Sequence, residues 1–321
     1  MKRMIAVSSF GLAYAYASAC CGVSPNGQPV VFGDQSNVIV WNPQTKTEHF
    51  IRNAYFDSKA KDFGFIAATP TLPELKESDT RLFDYLSDFK PKKGPPGCGA
   101  PTGEAAAANA PASAVDVLQE VYVGKYQATT VRSDDSTAMA TYLKSNGYAM
   151  TDGSKEWIDF YTNKKWVFTA FKVLQGTDGA SKTGVIRMSF KTEEPFNPYY
   201  VPTENSSESG TLRLFFVSDG VYSATVGHGA NWIPAGWNSE IEEKSLKDLA
   251  ANSGIPESEF PNNLTVTYFE KRGWLDGSKD DLYFKKDSPF TSIFMVLLVA
   301  FGGGLWWFTK SRRAKVLAPS Q

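Results

Sequence analysis

The sequence predicts an α+β fold, mainly antiparallel sheet with a few helices, plus one C-terminal transmembrane helix. Three observations carry this. Short β-branched and aromatic runs recur along the chain, bounded by Gly, Pro, Asn and Asp. Amphipathic stretches fall between them without a strand–helix–strand rhythm, which argues against a parallel sheet. Phe290 to Phe308 is nineteen residues without a charge, long enough at about 1.5 Å per residue to span the roughly 30 Å hydrocarbon core of a bilayer.

The ends set the expected compartment. Met1-Lys2-Arg3 precedes a short apolar stretch that closes on Ala17-Ser18-Ala19, the pattern of a cleaved secretory signal peptide over 1–19. At the other end Trp306 and Trp307 stand where an interfacial aromatic belt belongs, just before Lys310, Arg312, Arg313 and Lys315. Those cations mark that side as cytoplasmic. The expectation is a single-pass protein of the cell membrane. The bulk of the chain lies outside the cytoplasm (periplasmic or extracellular face), and the lipid bilayer is contacted through 290–308. The chain has 33 Lys+Arg and 34 Asp+Glu; setting aside two cations in the leader and four in the tail leaves 27 against 34, a net of −7 for the outside region. With no basic patch, nucleic acid is excluded as a partner. Only two histidines occur, His49 and His228. They exclude a three-histidine metal site and leave little room for a Ser-His-Asp machine.

Taken in order, residues 20–90 read as a β-rich region. Val30–Phe32 and Val38–Trp41 read as separate strands with Gly33–Asn37 between them, and a hairpin loop at Asn42–Lys46 returns through His49–Ile51. Phe63–Ala68 is a further strand, ended by Pro70 and Pro73. Ser78-Asp79 then caps a helix with Leu82, Phe83, Leu86 and Phe89 at helical spacing. Residues 91–114 are rich in Pro, Gly and Ala and read as a linker around Cys98.

Residues 115–287 read as α+β. Strands are expected near 117–123 and 126–131, a helix over 134–145 stopped by Gly147, and a short helix around Trp157–Tyr161. Strands follow at 167–173 and 185–190. Thr211–Val217 and Tyr222–Val226 read as a hairpin about Asp219-Gly220, a pair suited to a type I′ turn. A polar helix over 240–252 and strands at 264–269 and 282–284 complete it. The transmembrane helix is placed at 288–309 and a basic cytoplasmic tail at 310–321.

Several segments carry a resemblance. Cys20-Cys21-Gly22 after the leader, Val123–Tyr126, Leu143-Lys144-Ser145-Asn146-Gly147-Tyr148 and the strand Trp166–Val173 together resemble a bacterial exported family known as domain of unknown function 2330. The resemblance implies a similar layout of leader, Cys-Gly start, Pro-rich middle cysteine and, in some members, a C-terminal anchor. It implies no activity and no site residues.

Short catalytic patterns are present but isolated. Ser58–Lys61 fits S-x-x-K and Lys182-Thr183-Gly184 fits K-T-G, without the middle element that penicillin-binding sites need. Asp134-Asp135 and Asp280-Asp281 lack EF-hand spacing and read as caps and turns. Gly227–Trp237 is the unusual segment: His228, Trp232 and Trp237 in one glycine-bearing stretch make a possible contact loop. Of the three cysteines, Cys98 is expected to bridge to Cys21, with Cys20–Cys98 as the alternative; Cys20 is otherwise left as a free or lipid-bearing mature N-terminus. No cofactor or metal is expected. The reading is a membrane-anchored extracytoplasmic protein, a non-catalytic binding or scaffold module for an envelope protein or ligand. The rival is a cell-envelope hydrolase or transferase with a carboxylate-based site.

Overall fold

A computed structural model describes residues 21–23, 31–57, 64–91, 115–148, 150–174, 184–203, 211–229, 232–272 and 278–287. The chain divides into two compact units, Met1–Lys285 and Lys286–Gln321, and the fold below is that of the first. Its leading strands are β1 (Cys21–Val23), β2 (Val31–Asn42), β3 (Thr47–Asp57), β4 (Gly64–Thr69) and β5 (Glu74–Ser78), before helix α1 (Arg81–Ser87). Next come β6 (Asp116–Val123), β7 (Tyr126–Arg132), α2 (Ser136–Ser145), α3 (Asp152–Asn163), β8 (Val167–Val173) and β9 (Val185–Lys191). The last are β10 (Phe196–Asn197), β11 (Thr211–Ser218), β12 (Tyr222–Val226), β13 (Trp232–Ile233), β14 (Ala235–Glu240), α4 (Leu246–Ser253), β15 (Thr265–Arg272) and β16 (Leu282–Lys286).

These strands form three sheets, ordered β1-β4-β8-β7-β6, β10-β16-β12-β13 and β14-β15-β11-β2-β3-β9-β5. Pairing is mostly antiparallel, with β2 and β11 parallel, so the fold is α+β with mostly antiparallel sheet and four α-helices among the described residues. Strands from both sides of 91–114 share the two larger sheets, so the regions before and after it build one unit.

Side-chain alternation separates three apolar layers. One face of the seven-stranded sheet gives Ile39, Phe50, Met188, Leu214 and Phe216 to a central core. The five-stranded sheet meets it with Phe65, Tyr126 and Phe171, and the four-stranded sheet with Ala224, Leu282 and Phe284. Phe65 stacks on Phe171 at 4.6 Å and meets Tyr126 edge-on at 5.6 Å; burying each such ring stabilises by about 1.5–3 kcal/mol. The other face of the seven-stranded sheet, with Val38, Val40, Ile51 and Val266, is covered by Leu82 and Leu86 of α1 and Leu249 of α4. The outer face of the five-stranded sheet, with Ile66, Val131 and Phe168, is covered by Met139 and Leu143 of α2 and Trp157, Ile158 and Tyr161 of α3.

Local sequence sets the helix ends. Asp135 caps α2 by accepting the Thr137 N–H at 2.7 Å, and Thr151 caps α3 by accepting that of Ser154 at 3.1 Å. Helix α2 ends in a Schellman motif: Gly147, at φ +86°, donates to Lys144 O, and Tyr148 donates to Leu143 O.

Four expectations are corrected. Residues 33–37 do not separate a pair of strands; β2 runs through them with an irregularity between Phe32 and Gln35, because from Gln35 onward the main chain is paired on both sides and Gln35 and Asn37 are buried in the sheet's middle. The strands at 211–217 and 222–226 are not a hairpin: β11 lies between β15 and β2 while β12 belongs to the four-stranded sheet, so Asp219-Gly220 carries the chain between sheets. The helix expected from 240 begins at Leu246, after the edge strand β14 and a 3-10 turn at Glu243–Ser245. Strand β5, polar and mostly exposed, was not expected beyond Pro73. Among the described residues no helix is long and apolar enough to cross a membrane; the signal peptide, linker and the proposed span over 290–308 lie outside them.

Candidate functional site

Lys164, the residue that ends α3, sits where three sequence-distant elements meet. Its Nζ donates to Asp281 Oδ2 at 2.8 Å, Tyr283 OH at 2.9 Å and Asp280 Oδ1 at 3.4 Å, and lies over the rings of Phe160 at 4.2 Å and Trp166 at 5.1 Å. Asp281, fully buried, also accepts the Tyr161 hydroxyl at 2.6 Å and the Tyr199 N–H at 3.0 Å. Burial works against the Lys164 charge, but Asp281 and then Tyr283 raise the ammonium well above its ordinary pKa. Burial pushes the Asp281 carboxyl up, opposed by Lys164 and the hydroxyl and amide donors. The three ammonium protons have three acceptors, so the group fixes α3 to β16 and has no proton to lend.

His49 and Ser189, cross-strand partners on β3 and β9, look more like chemistry. The Ser189 hydroxyl and His49 Nδ1 are 2.8 Å apart, and His49 Nε2 lies 3.2 Å from Glu259 Oε2, out of line for a hydrogen bond. A nucleophile needs its base to take up a proton. Burial, then Arg187 and Lys191, push His49 down to about 3. Its imidazolium is the unfavourable form, so the pair leaves the proton on Ser189. On the opposite face of β3, Glu48 is wholly buried and accepts the Phe196 N–H at 2.9 Å; burial, despite that bond, lifts it well above the carboxylate range.

An open site lies at one end of the seven-stranded sheet. The Asp219-Gly220 turn, the segment from Glu240 to Leu246 and the segment from Glu257 to Thr265 enclose a groove of about 1010 Å³. Ile241, Leu246, Phe260 and Leu264 supply apolar surface. Asp219, Glu240, Glu242, Glu243 and Glu257 supply carboxylates, and no Lys or Arg is among the described lining residues. The sequence hid this site because its acids come from three separated segments, one of them expected to be helix.

The residues singled out by sequence are dispersed. His228 is exposed, stacks on Tyr283 at 4.2 Å and pairs with Glu194 at 2.8 Å. Trp237 stacks on Tyr268 at 5.3 Å and packs in the layer beside α1 and α4, so these two are not brought together; the Trp232 backbone pairs with Thr225 in β13. Cys21 opens β1 opposite Ile66. Asp135 is the helix cap and Asp281 the buried partner of Lys164. Cys20, Cys98, Ser58–Lys61, Lys182, Thr183, Trp306, Trp307, Lys310, Arg312 and Arg313 lie outside the described residues. Among the described residues no group of three or more His, Cys, Asp or Glu could hold a metal ion.

Comparison with known proteins gives one sequence match and one structural likeness. No curated protein matches the chain. A crystal structure of a mutated baculovirus P35 after caspase cleavage is similar over 79% of this chain and 94% of that one, at 9% identity and a TM-score of 0.36, a likeness too slight to carry an argument. The model of a family described as an uncharacterized protein conserved in bacteria, DUF2330, matches residues 14–225; that is well over half of the chain, which therefore belongs to this family.

Proposed function

We propose that the chain is a membrane-anchored, extracytoplasmic, non-catalytic binding module of the cell envelope, and that its acidic groove docks a basic segment of an envelope partner. The leader over 1–19, the uncharged stretch over 290–308 and the basic tail support the topology. A Cys21–Cys98 bridge suits that oxidising location. The observation that carries the binding role is the groove itself: apolar floor, five carboxylates around it and no lining cation among the described residues. Such a lining attracts a lysine- or arginine-bearing strand, steers its approach, and buries the aliphatic stems of its side chains.

The test uses the full chain in detergent, titrated calorimetrically with a hexalysine peptide at low ionic strength. Binding is expected to weaken by about tenfold or more in Glu240→Gln/Glu243→Gln/Glu257→Gln, since tenfold is about 1.4 kcal/mol, and to weaken with added salt. Absence of binding, or binding indifferent to the triple substitution, overturns the docking role. Protease added outside spheroplasts should digest the 20–287 region and spare a tag after Gln321; a protected 20–287 region overturns the topology.

A further inference from the structure

A second cleft lies on the far side of the five-stranded sheet. Along β7 and β8 the outer face changes character: Val131 and Phe168 sit under the two helices, while Thr129, Gln127 and Lys172 continue the same face in polar residues. Helix α2 stops short of this polar end. Its Schellman motif turns the chain at Gly147 and sets Tyr148 beside Gly64, where a β-carbon would meet the tyrosine ring at 3.3 Å. The result is a cleft of about 330 Å³ with Tyr142, Asn146 and Tyr148 along one side and Glu120, Thr129, Gln127 and Lys172 on the sheet.

Four of its polar groups are unspent. Among the described residues the Tyr142, Tyr148 and Thr129 hydroxyls and the Lys172 ammonium make no hydrogen bond or ion pair. Gln127 donates to Glu120, and Asn146 donates to the Tyr142 carbonyl, leaving its own side-chain oxygen open. Burial and then Tyr142 push Tyr148 up to about 12, so it remains a hydroxyl donor at neutral pH. The cleft is at the small end of ligand sites, which run from about 300 to 1,000 Å³, so it suits a compact ligand and not a peptide. Two aromatic rings along one side, with donors and acceptors around them, match a ring that is apolar on its face and hydroxylated at its rim. The single unpaired ammonium calls for one negative substituent.

We propose that this cleft binds a small acidic saccharide: a pyranose ring seated against Tyr142 and Tyr148, its hydroxyls shared among Glu120, Gln127, Thr129 and Asn146, and its carboxylate on Lys172. This site is separate from the acidic groove and does not depend on it.

The probe is glucuronate, with glucose and acetate as controls, followed by saturation-transfer NMR on the full chain in a non-glycosidic detergent. Glucuronate should bind about tenfold more tightly than glucose, the size of one charge-assisted contact, and acetate should give no transfer. Lys172→Met should erase the preference for glucuronate over glucose, and Tyr142→Ala should abolish both signals while far-UV circular dichroism stays native. Absence of transfer from glucuronate, equal binding of glucose to the wild-type chain, or a Lys172→Met variant that retains the preference overturns the proposal.

Discussion

Lys164 and Asp281 form a charge pair 2.8 Å apart across 117 residues of sequence, with the carboxylate fully buried and the ammonium lying over aromatic rings. The pair ties the end of α3 to the residue before β16, and so ties the helix layer over the five-stranded sheet to the four-stranded sheet. Its value to the fold lies in completeness: removing one partner strands the other.

Lys164→Met should therefore destabilise by about 3–5 kcal/mol, the cost of an uncompensated buried charge. Asp281→Asn together with Lys164→Met should recover some of that loss. Urea unfolding of both single variants and the double variant measures the coupling. Additive losses would mean that the pair does not interact.

His49 gives the fold an acid limit. Its folded pKa is about 3 against an ordinary 6.5, so between those values the unfolded chain takes up a proton that the folded chain refuses. Stability is complete above pH 6.5 and lost as pH falls, by up to about 1.4 kcal/mol per pH unit. His49→Asn keeps an acceptor for the Ser189 hydroxyl and does not titrate. The stability gap between wild type and variant should shrink from pH 7 to pH 5; parallel profiles over that range would refute the assignment.

The same buried polar residues explain what the sequence could and could not reveal. Strands with alternating or continuous apolar patterns, such as β8 and β9, are legible because burial and period agree. β2 is not: Gln35 and Asn37 interrupt its pattern, yet both are wholly buried, and Asn37 donates to Asn197 Oδ1 at 2.8 Å. An Asp-Gly pair reads as a hairpin turn, but Tyr222 OH donating to Asp219 at 3.0 Å is a bond within a link between sheets. Likewise Asp280-Asp281 reads as a turn because Lys164 is distant in sequence. The acidic groove was illegible for that reason too: its acids lie on three segments that only tertiary folding brings together. Tyr142 and Tyr148, by contrast, lie on and just beyond a helix whose stop at Gly147 was readable.

The cysteines allow a test beyond the described residues. Cys21 stands at the edge of the five-stranded sheet, paired in register with Ile66. Joining Cys98 to it closes a loop of roughly 77 residues, worth about 4 kcal/mol by the chain-entropy estimate. Peptide mapping of the purified chain without reductant should recover a Cys21–Cys98 or Cys20–Cys98 peptide. Cys98 recovered as a free thiol sinks the tether.

Glu48 opposes its neighbour His49 in the pH profile. Its carboxyl is fully buried and its folded pKa stands well above 4.5, so the folded chain keeps a proton that the unfolded chain releases above that value. This contribution is complete below pH 4.5 and is lost as pH rises, the reverse of the His49 slope. Between pH 4.5 and 6.5 the opposing effects partly cancel, which broadens the stable range on the acid side. Glu48→Gln preserves an oxygen for the Phe196 N–H and replaces the carboxyl proton with an amide donor of the same size. The variant should match wild type at pH 4.5 and exceed it at pH 8, because burying an ionised carboxylate is costly and the amide carries no charge. Urea midpoints at the two pH values decide it: a Glu48→Gln chain less stable than wild type at pH 8 would mean that the carboxyl is ionised and bound there, and the cancellation with His49 would fail with it.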